Sequence, residues 1–376
     1  MNYLLQIVAC DKITHTSNQD FQMPQHAECY PEQQKGTDHM SNIMLTYRCN
    51  LHCSYCFANE FVNKENTDIT VRNFRKAVEF LTGSGETRIG LIGGEPTLHP
   101  VFQLLMEMLI ANKKVTGITV YTNGLLMDRY IPQLVNPKVG ALVNCNSPQI
   151  IGEKAFGTMQ ENLDTLILRY YMKDRINLGI NLYSNEMDYS YIMDLLQRYK
   201  MHRVRISLTV PDFSACGNVD VLDYFRKRKQ FMMKFFRDMD SIKVMPYFDC
   251  NYPPQCIWTE EEKAWLEAYT ARYPEGESNL IGGYSRCNPV VDILPNLQAV
   301  RCFGMSDFMK VPISDFKNIR DLRRYFFGAI DSEAGRLAAC EECRECYERK
   351  INTCYAGCIG FKASRIHACN EAVERL

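Results

Sequence analysis

Cys49-Asn50-Leu51-His52-Cys53-Ser54-Tyr55-Cys56, directly after the apolar run Asn42 to Leu45, decides how the rest of the chain is read. Three thiolates at C-x3-C-x2-C spacing can hold three irons of a cubane cluster, one fewer than the four cysteines that an electron-carrying cluster takes. One iron is then left open to a ligand. A zinc knuckle is the other reading of three close cysteines, with His52 as its fourth ligand.

Working outward, strand-like and helix-like segments alternate, the pattern of βα units around a parallel sheet. The strands are expected at Asn42 to Leu45, Arg88 to Ile92, Ile118 to Tyr121, Ala141 to Asn144, Ile176 to Tyr183 and Val204 to Val210, with a further edge strand at Ile242 to Tyr247. The helices between them are expected at Thr70 to Leu81, Val101 to Asn112, Leu125 to Leu134, Gly157 to Tyr171, Tyr189 to Tyr199 and Val219 to Met239. In the first helix Val71, Phe74, Ala77, Val78 and Leu81 share one face, with Asp68 and Thr70 as candidate caps. The fold class is α/β, a partial TIM-type (β/α)6 barrel over residues 41–250, in which functional residues sit at the C-terminal ends of strands. Gly93-Gly94-Glu95-Pro96-Thr97 stands at such an end. Its glycines let a ligand approach the backbone, its carboxylate and carbonyls can receive an ammonium group, and Pro96 stiffens the turn.

The cysteine triplet followed by a strand-end GGEPT resembles the radical S-adenosylmethionine (SAM) superfamily. That resemblance implies a 4Fe-4S cluster on Cys49, Cys53 and Cys56, whose open iron is chelated by the amino and carboxylate groups of SAM. It makes Gly93, Gly94, Glu95 and Pro96 the methionine-binding turn, and Tyr55 an aromatic near the adenine. Thr122 and Asn123 after the third strand, Asn144 and Asn146 at the end of the fourth and Asn181 on the fifth are further candidates for SAM contacts; each is equally a turn or cap residue. Cys145 alternates away from its two asparagine neighbours and is read as a buried thiol. The implied chemistry is reductive cleavage of SAM to a 5′-deoxyadenosyl radical that abstracts hydrogen from a substrate, with a flavodoxin- or ferredoxin-type protein as reductant.

Beyond Cys250 and Cys256 the βα rhythm stops. Residues 251–280 read as a linker with a helix at Glu260 to Tyr273, and 281–376 as a small cysteine-rich iron-sulfur domain. Cys287, Cys302, Cys340, Cys343, Cys346, Cys354, Cys358 and Cys369 resemble the SPASM extension of radical SAM enzymes that act on peptides or proteins. By that resemblance Cys287, Cys302 and Cys358 serve one auxiliary 4Fe-4S cluster, and Cys343, Cys346, Cys354 and Cys369 a second. The first lacks a fourth cysteine just upstream, so it keeps an open iron or recruits Cys256, Cys250 or Cys340. One auxiliary cluster beside a zinc site or spare thiols is the alternative. The implied substrate is a peptide or protein, modified by crosslinking, thioether formation or a similar oxidation. A dehydrogenase or epimerase acting on a small molecule is the second reading. A non-catalytic iron-sulfur carrier is a third, disfavoured because a carrier gains nothing from an open iron beside a methionine-binding turn. Phe303, where sulfatase maturases place a carboxylate, argues against that activity.

The 376 residues are 46% hydrophobic with a net charge of -1. This balance supports a buried core and gives no bulk attraction to nucleic acid or to an anionic membrane. Met1 to Cys10 is apolar but lacks a basic n-region, so neither a signal peptide nor a membrane span is expected. Seventeen cysteines in a long chain, clustered at C-x2-C spacings, point to metal rather than disulfides and to a cytoplasmic, reducing and anaerobic setting. Residues 1–40 show no period and are read as a flexible leader, too short and unpatterned for a leader-peptide-binding module. Arg226-Lys227-Arg228-Lys229 is read as the solvated face of its helix.

Overall fold

The computed structural model describes residues 40–56, 62–64, 67–209, 219–274, 279–281, 289–305, 309–351 and 353–362. The leader up to residue 39, Cys287 and Cys369 lie outside the described residues.

Seven strands stand in chain order with every neighbouring pair parallel: β1 (Ser41–Met44), β2 (Arg88–Ile92), β3 (Gly117–Thr122), β4 (Val139–Asn144), β5 (Ile176–Leu182), β6 (Arg203–Leu208) and β7 (Met245–Cys250). Between them run α1 (Val71–Gly83), α2 (Phe102–Ala111), α3 (Ile131–Leu134), α4 (Glu153–Leu163), α5 (Ser190–Arg198) and α6 (Val221–Ser241). This is the expected partial barrel, with the edge strand shifted toward Cys250. Alternation sorts its two faces. Ile43, Ile89, Leu91, Ile118 and Val120 are buried in the main core with Phe74, Ala77 and Leu81 of α1. The opposite, inner face carries Asn42, Gly90, Tyr121, Asn144, Asn181, Arg205 and Asp249, most of them only half-buried.

Local chemistry explains the boundaries. Thr70 caps α1 by accepting from the Asn73 N–H, whereas Asp68 is drawn away to Thr46 and Arg48. The single helix expected over Leu125 to Leu134 is instead a 3-10 turn, Met127–Tyr130, followed by the four-residue α3. Gly124 precedes it at φ +82°, and Pro132, with no N–H to bond backward, can only stand in the first turn of a helix. The helix expected from Gly157 to Tyr171 starts earlier, at Glu153, and widens into a π-helical stretch over Asp164–Arg169.

The segment after β7 begins with α7 (Glu260–Thr270), opened by a capping box between Thr259 and Glu262. The cysteine-rich region then continues the barrel's own sheet. β8 (Asp292–Ile293) pairs parallel with β1, β9 (Gln298–Val300) pairs antiparallel with β8, and β10 (Val311–Pro312) pairs antiparallel with β9. Buried charges fasten this region. From α8 (Ile319–Phe326), Arg323 donates to Ser41 Oγ at 2.9 Å and Glu86 Oε1 at 3.0 Å, under the first two strands. Arg301 donates to both oxygens of Asp331, at 2.8 and 2.6 Å, with side chains 2% and 0% exposed. Replacing Arg301 by Met strips a buried carboxylate of two charge-assisted hydrogen bonds and is expected to cost about 3–5 kcal/mol. The chemical denaturation midpoint measures this, and an unchanged midpoint would refute it.

The basic run on α6 is largely paired rather than merely solvated: Arg226 with Glu342, Lys227 with Asp223, and Lys229 with Glu262, while Arg228 lies over the Tyr224 ring. No helix among the described residues is long and apolar enough to cross a membrane.

Candidate active site

The cysteine loop leaves the C-terminal end of β1 and is held at several points. The Arg48 guanidinium is bidentate on Asp68, which also accepts from Thr46 Oγ1 at 2.6 Å. The Cys49 N–H donates to Asn63 Oδ1 at 2.8 Å, and Asn123 Nδ2 donates to Asn50 Oδ1 at 2.7 Å. Within the loop, the Leu51 N–H donates to Cys49 Sγ at 3.4 Å.

The three thiols share one electrostatic environment. Burial pushes the Cys49 thiol up to about 12; the Leu51 N–H opposes this, and negative charge on Glu95, Cys56 and Cys53 adds to it. Burial also raises Cys53, with Cys56 contributing. Half-buried thiolates that disfavour one another suit a shared cation, which would reverse both effects. Among the described residues no three His, Cys, Asp or Glu side chains stand at coordinating distance from a common point. The fit to an iron-sulfur cluster therefore lies in the donor set and its proximity rather than in a preformed cage.

The GGEPT turn packs directly onto this loop. The Gly94 N–H donates to the Thr46 carbonyl at 2.8 Å and the Glu95 N–H to the Arg48 carbonyl at 2.7 Å. A Cβ on Gly94 would stand 2.4 Å from the Arg48 oxygen, and one on Gly93 2.8 Å from the Thr46 oxygen. The close approach these glycines allow is therefore that of the cysteine loop's own backbone. Glu95 is likewise turned inward. It is 1% exposed, and its carboxylate accepts from the Thr97 N–H, Thr97 Oγ1, Thr122 Oγ1 and the Asn123 N–H. Thr122, Asn123 and Glu95 thus form a brace that locks the end of β3 to the turn and, through Asn50, to the cysteine loop.

Tyr55 and Asn146 come together, the phenol donating to Asn146 Oδ1 at 2.6 Å. The Tyr55 ring stacks on Tyr183, with centroids 4.4 Å apart and planes 6° from parallel. Asn181 Oδ1 accepts from Arg205 Nη1 at 2.9 Å. Asn144 differs from these, because its Oδ1 is buried and has no partner among the described residues. Cys145 is buried, as expected. Asn50, Asn63 and Tyr183 had no signal in the sequence, since each is an ordinary loop or strand-end residue until the fold brings its partner to it.

Distal cysteines gather at the C-terminal end of β7. The Cys250 thiol is in hydrogen-bond contact with Cys358. Cys256 interacts electrostatically with Cys354 and Cys346, and the Cys340 and Cys343 sulfurs are 3.5 Å apart. Cys302 lies beside the Arg301 guanidinium, at 3.7 Å from Nη1. Cys354 and Cys358 each accept a backbone N–H two residues ahead, from Ala356 and Gly360, as Cys49 does from Leu51.

Comparison with known proteins fits this geometry. The GTP 3',8-cyclase of Chlorobaculum tepidum is 27% identical over 249 residues, 57% of this chain and 72% of that protein. The molybdenum cofactor biosynthesis protein moc-5 of Caenorhabditis elegans is 26% identical over 153 residues, 38% of this chain but only 25% of its own length. Among solved structures, native anSMEcpe with bound AdoMet and a peptide superposes with a TM-score of 0.57 at 16% identity, covering 90% of this chain and 99% of that one. SuiB of Streptococcus suis bound to S-adenosylmethionine gives 0.54 at 13%, covering 85% and 72%. At these identities the two superpositions establish a shared fold. Residues 43–146, which hold the cysteine loop, the GGEPT turn and the Tyr55–Asn146 contact, match the family model of the Radical SAM superfamily, and this part of the chain is a radical SAM domain.

Proposed function

We propose that the protein is a radical SAM enzyme that modifies a peptide or protein. The observation that carries the substrate class is the gathering of cysteines from β7, the loop after it and the C-terminal segment, at the same end of the barrel as the cysteine loop. When bound, the cluster and SAM supply reductive cleavage of the S–C5′ bond and a 5′-deoxyadenosyl radical that removes hydrogen from the substrate. Cys49, Cys53 and Cys56 would hold the cluster through three of its irons. The Gly93 and Gly94 carbonyls would receive the methionine ammonium, since the Gly94 and Glu95 N–H groups and the Glu95 and Pro96 carbonyls are already bonded within the protein, while Glu95, Thr122 and Asn123 keep that turn rigid. Asn144 Oδ1, an acceptor without a partner among the described residues, would accept a hydrogen bond from SAM, and Tyr55 with Asn146 and Tyr183 would border its adenine.

Cys302, Cys358 and Cys287 are assigned to one auxiliary 4Fe-4S cluster, with Cys250 as the fourth ligand because it touches Cys358. Cys343, Cys346 and Cys354 are assigned to a second with Cys369, and Cys340 and Cys256 stand beside it. The solved structure of anSMEcpe, which shares this fold, holds both AdoMet and a peptide, and this supports the substrate class. A second reading, a small-molecule substrate, draws on the sequence relatives, which include GTP 3',8-cyclases.

Anaerobic reconstitution tests the proposal. About twelve irons per chain, three 4Fe-4S clusters, together with dithionite-driven 5′-deoxyadenosine are expected. About four irons with deoxyadenosine would remove the auxiliary clusters and most of the case for a peptide. Replacing Cys343 and Cys346 by Ala is expected to lower iron by about four and stop substrate turnover; unchanged iron would show that these thiols hold no cluster.

A further inference from the structure

The inner face of the sheet holds a polar constellation that none of the roles above uses. Asn42 on β1 donates from Nδ2 to Asp292 Oδ1 of β8 at 2.7 Å. Asp292 is 1% exposed and also accepts the Phe303 N–H. Burial raises its carboxyl to about 7, opposed by these donors and by Arg301. Above that value the carboxylate is acceptor-only, so it can engage only the NH2 side of the Asn42 amide. The amide is thereby given one orientation, with Oδ1 turned away from β8. That oxygen is buried and has no partner among the described residues.

Its surroundings are arranged to leave it there. Gly90 pairs with Asn42 across β1 and β2, and a Cβ on it would lie 1.9 Å from Asn42 Oδ1 and 3.1 Å from the Tyr121 ring. Only glycine lets the acceptor lie over that strand. Tyr121, half-buried on β3, is within electrostatic reach of Asp292 on one side and of Asp249 and Arg205 on the other. Arg205 donates from Nε to Asp249 at 2.6 Å and from Nη1 to Asn181, so its charge is largely neutralised. A buried acceptor on this inner face calls for a hydrogen-bond donor, because leaving it unpaired is costly, and the N–H is the donor that every non-proline residue of a peptide carries.

We propose that Asn42, its amide turned by Asp292, is the substrate-reading residue of the barrel lumen and accepts a hydrogen bond from an amide N–H of the substrate. The proposal rests on the peptide reading above and sharpens it: the lumen takes a peptide segment with a free backbone or side-chain N–H. Asp292 is a positioning residue, acting through Asn42.

The test uses reconstituted holoenzyme with SAM at pH 8 and two probes, N-acetylalanine N-methylamide and its fully N-methylated analogue, titrated by ligand-observed NMR. One hydrogen bond to a buried acceptor predicts that the N–H probe binds about tenfold more tightly. Asn42→Leu is expected to abolish the preference. Asp292→Asn, whose new amide can donate to Asn42 Oδ1 and turn its NH2 to the lumen, is expected to abolish it too, and serves alone if Asn42→Leu does not fold. Equal or undetectable binding of the probes to the wild type, or a preference surviving Asp292→Asn, overturns the proposal. GTP that displaces the N–H probe while the preference stands would overturn the peptide reading and leave Asn42 its role. SAM-dependent modification of peptides without probe preference would do the reverse.

Discussion

Replacing Cys49, Cys53 and Cys56 together by Ala is expected to reduce 5′-deoxyadenosine formation to background. No other described thiol lies within the loop that leaves β1, so nothing there can hold an iron in their place. Iron bound by the distal cysteines should remain, because Cys250, Cys256, Cys302, Cys340, Cys343, Cys346, Cys354 and Cys358 belong to other elements. Iron should fall by about four per chain, one cubane cluster. The paired measurement is iron content and deoxyadenosine on the same reconstituted sample. Retained deoxyadenosine would sink the assignment of this loop as the site of SAM cleavage.

Gly94→Ala is expected to be nearly as damaging through a single methyl group. The added Cβ would stand 2.4 Å from the Arg48 carbonyl oxygen and 2.7 Å from its carbon. Those are backbone atoms, pinned by the Arg48–Asp68 pair and by the Glu95 N–H, so they cannot swing aside as a side chain would. Either the turn or the cysteine loop must move, and misplacement of a reacting group by about 1 Å costs about 10²-fold in rate. Dithionite-driven deoxyadenosine formation measures the loss. Wild-type rates in this variant would show that the two segments are less rigidly coupled than their packing implies. Gly83→Ala, where nothing lies within 4 Å of the added Cβ, is the control.

Much of the barrel is legible in the chain itself, for identifiable reasons. β2 spans Arg88–Ile92 as expected because a short apolar strand is cut off sharply by Gly93 and Gly94. The stripe of α1 is predictive because Phe74, Ala77, Val78 and Leu81 repeat at helical spacing and Thr70 is a strong cap, Val71 in the first turn being only half-buried. The cysteine loop and the GGEPT turn stand out because their residue types are rare at such spacing. Interactions between segments are not legible in the same way. Asp68 reads as a helix cap until Arg48 arrives from the loop that leaves β1, and Glu95 reads as ligand-facing until Thr122 and Asn123 surround it. β8 and β10 have two residues each, too few for any period to show. The closeness of Cys256 to Cys346 and Cys354 depends on where α6 places the loop after β7, which no local pattern encodes.

The pairing of β8 with β1 bears on how the chain is assembled. Asn42 and Asp292 are 250 positions apart, so the first strand gains its outer neighbour only after the whole barrel and α7 have been synthesised. Closing so long a loop adds little to the equilibrium cost but slows the search for the partner. Until that hairpin docks, β1 is an unpaired sheet edge next to the cysteine loop, open to pairing with another nascent chain. Truncation before residue 290 would therefore be expected to give insoluble protein rather than a working core, and iron loading would follow completion of the C-terminal hairpin rather than precede it.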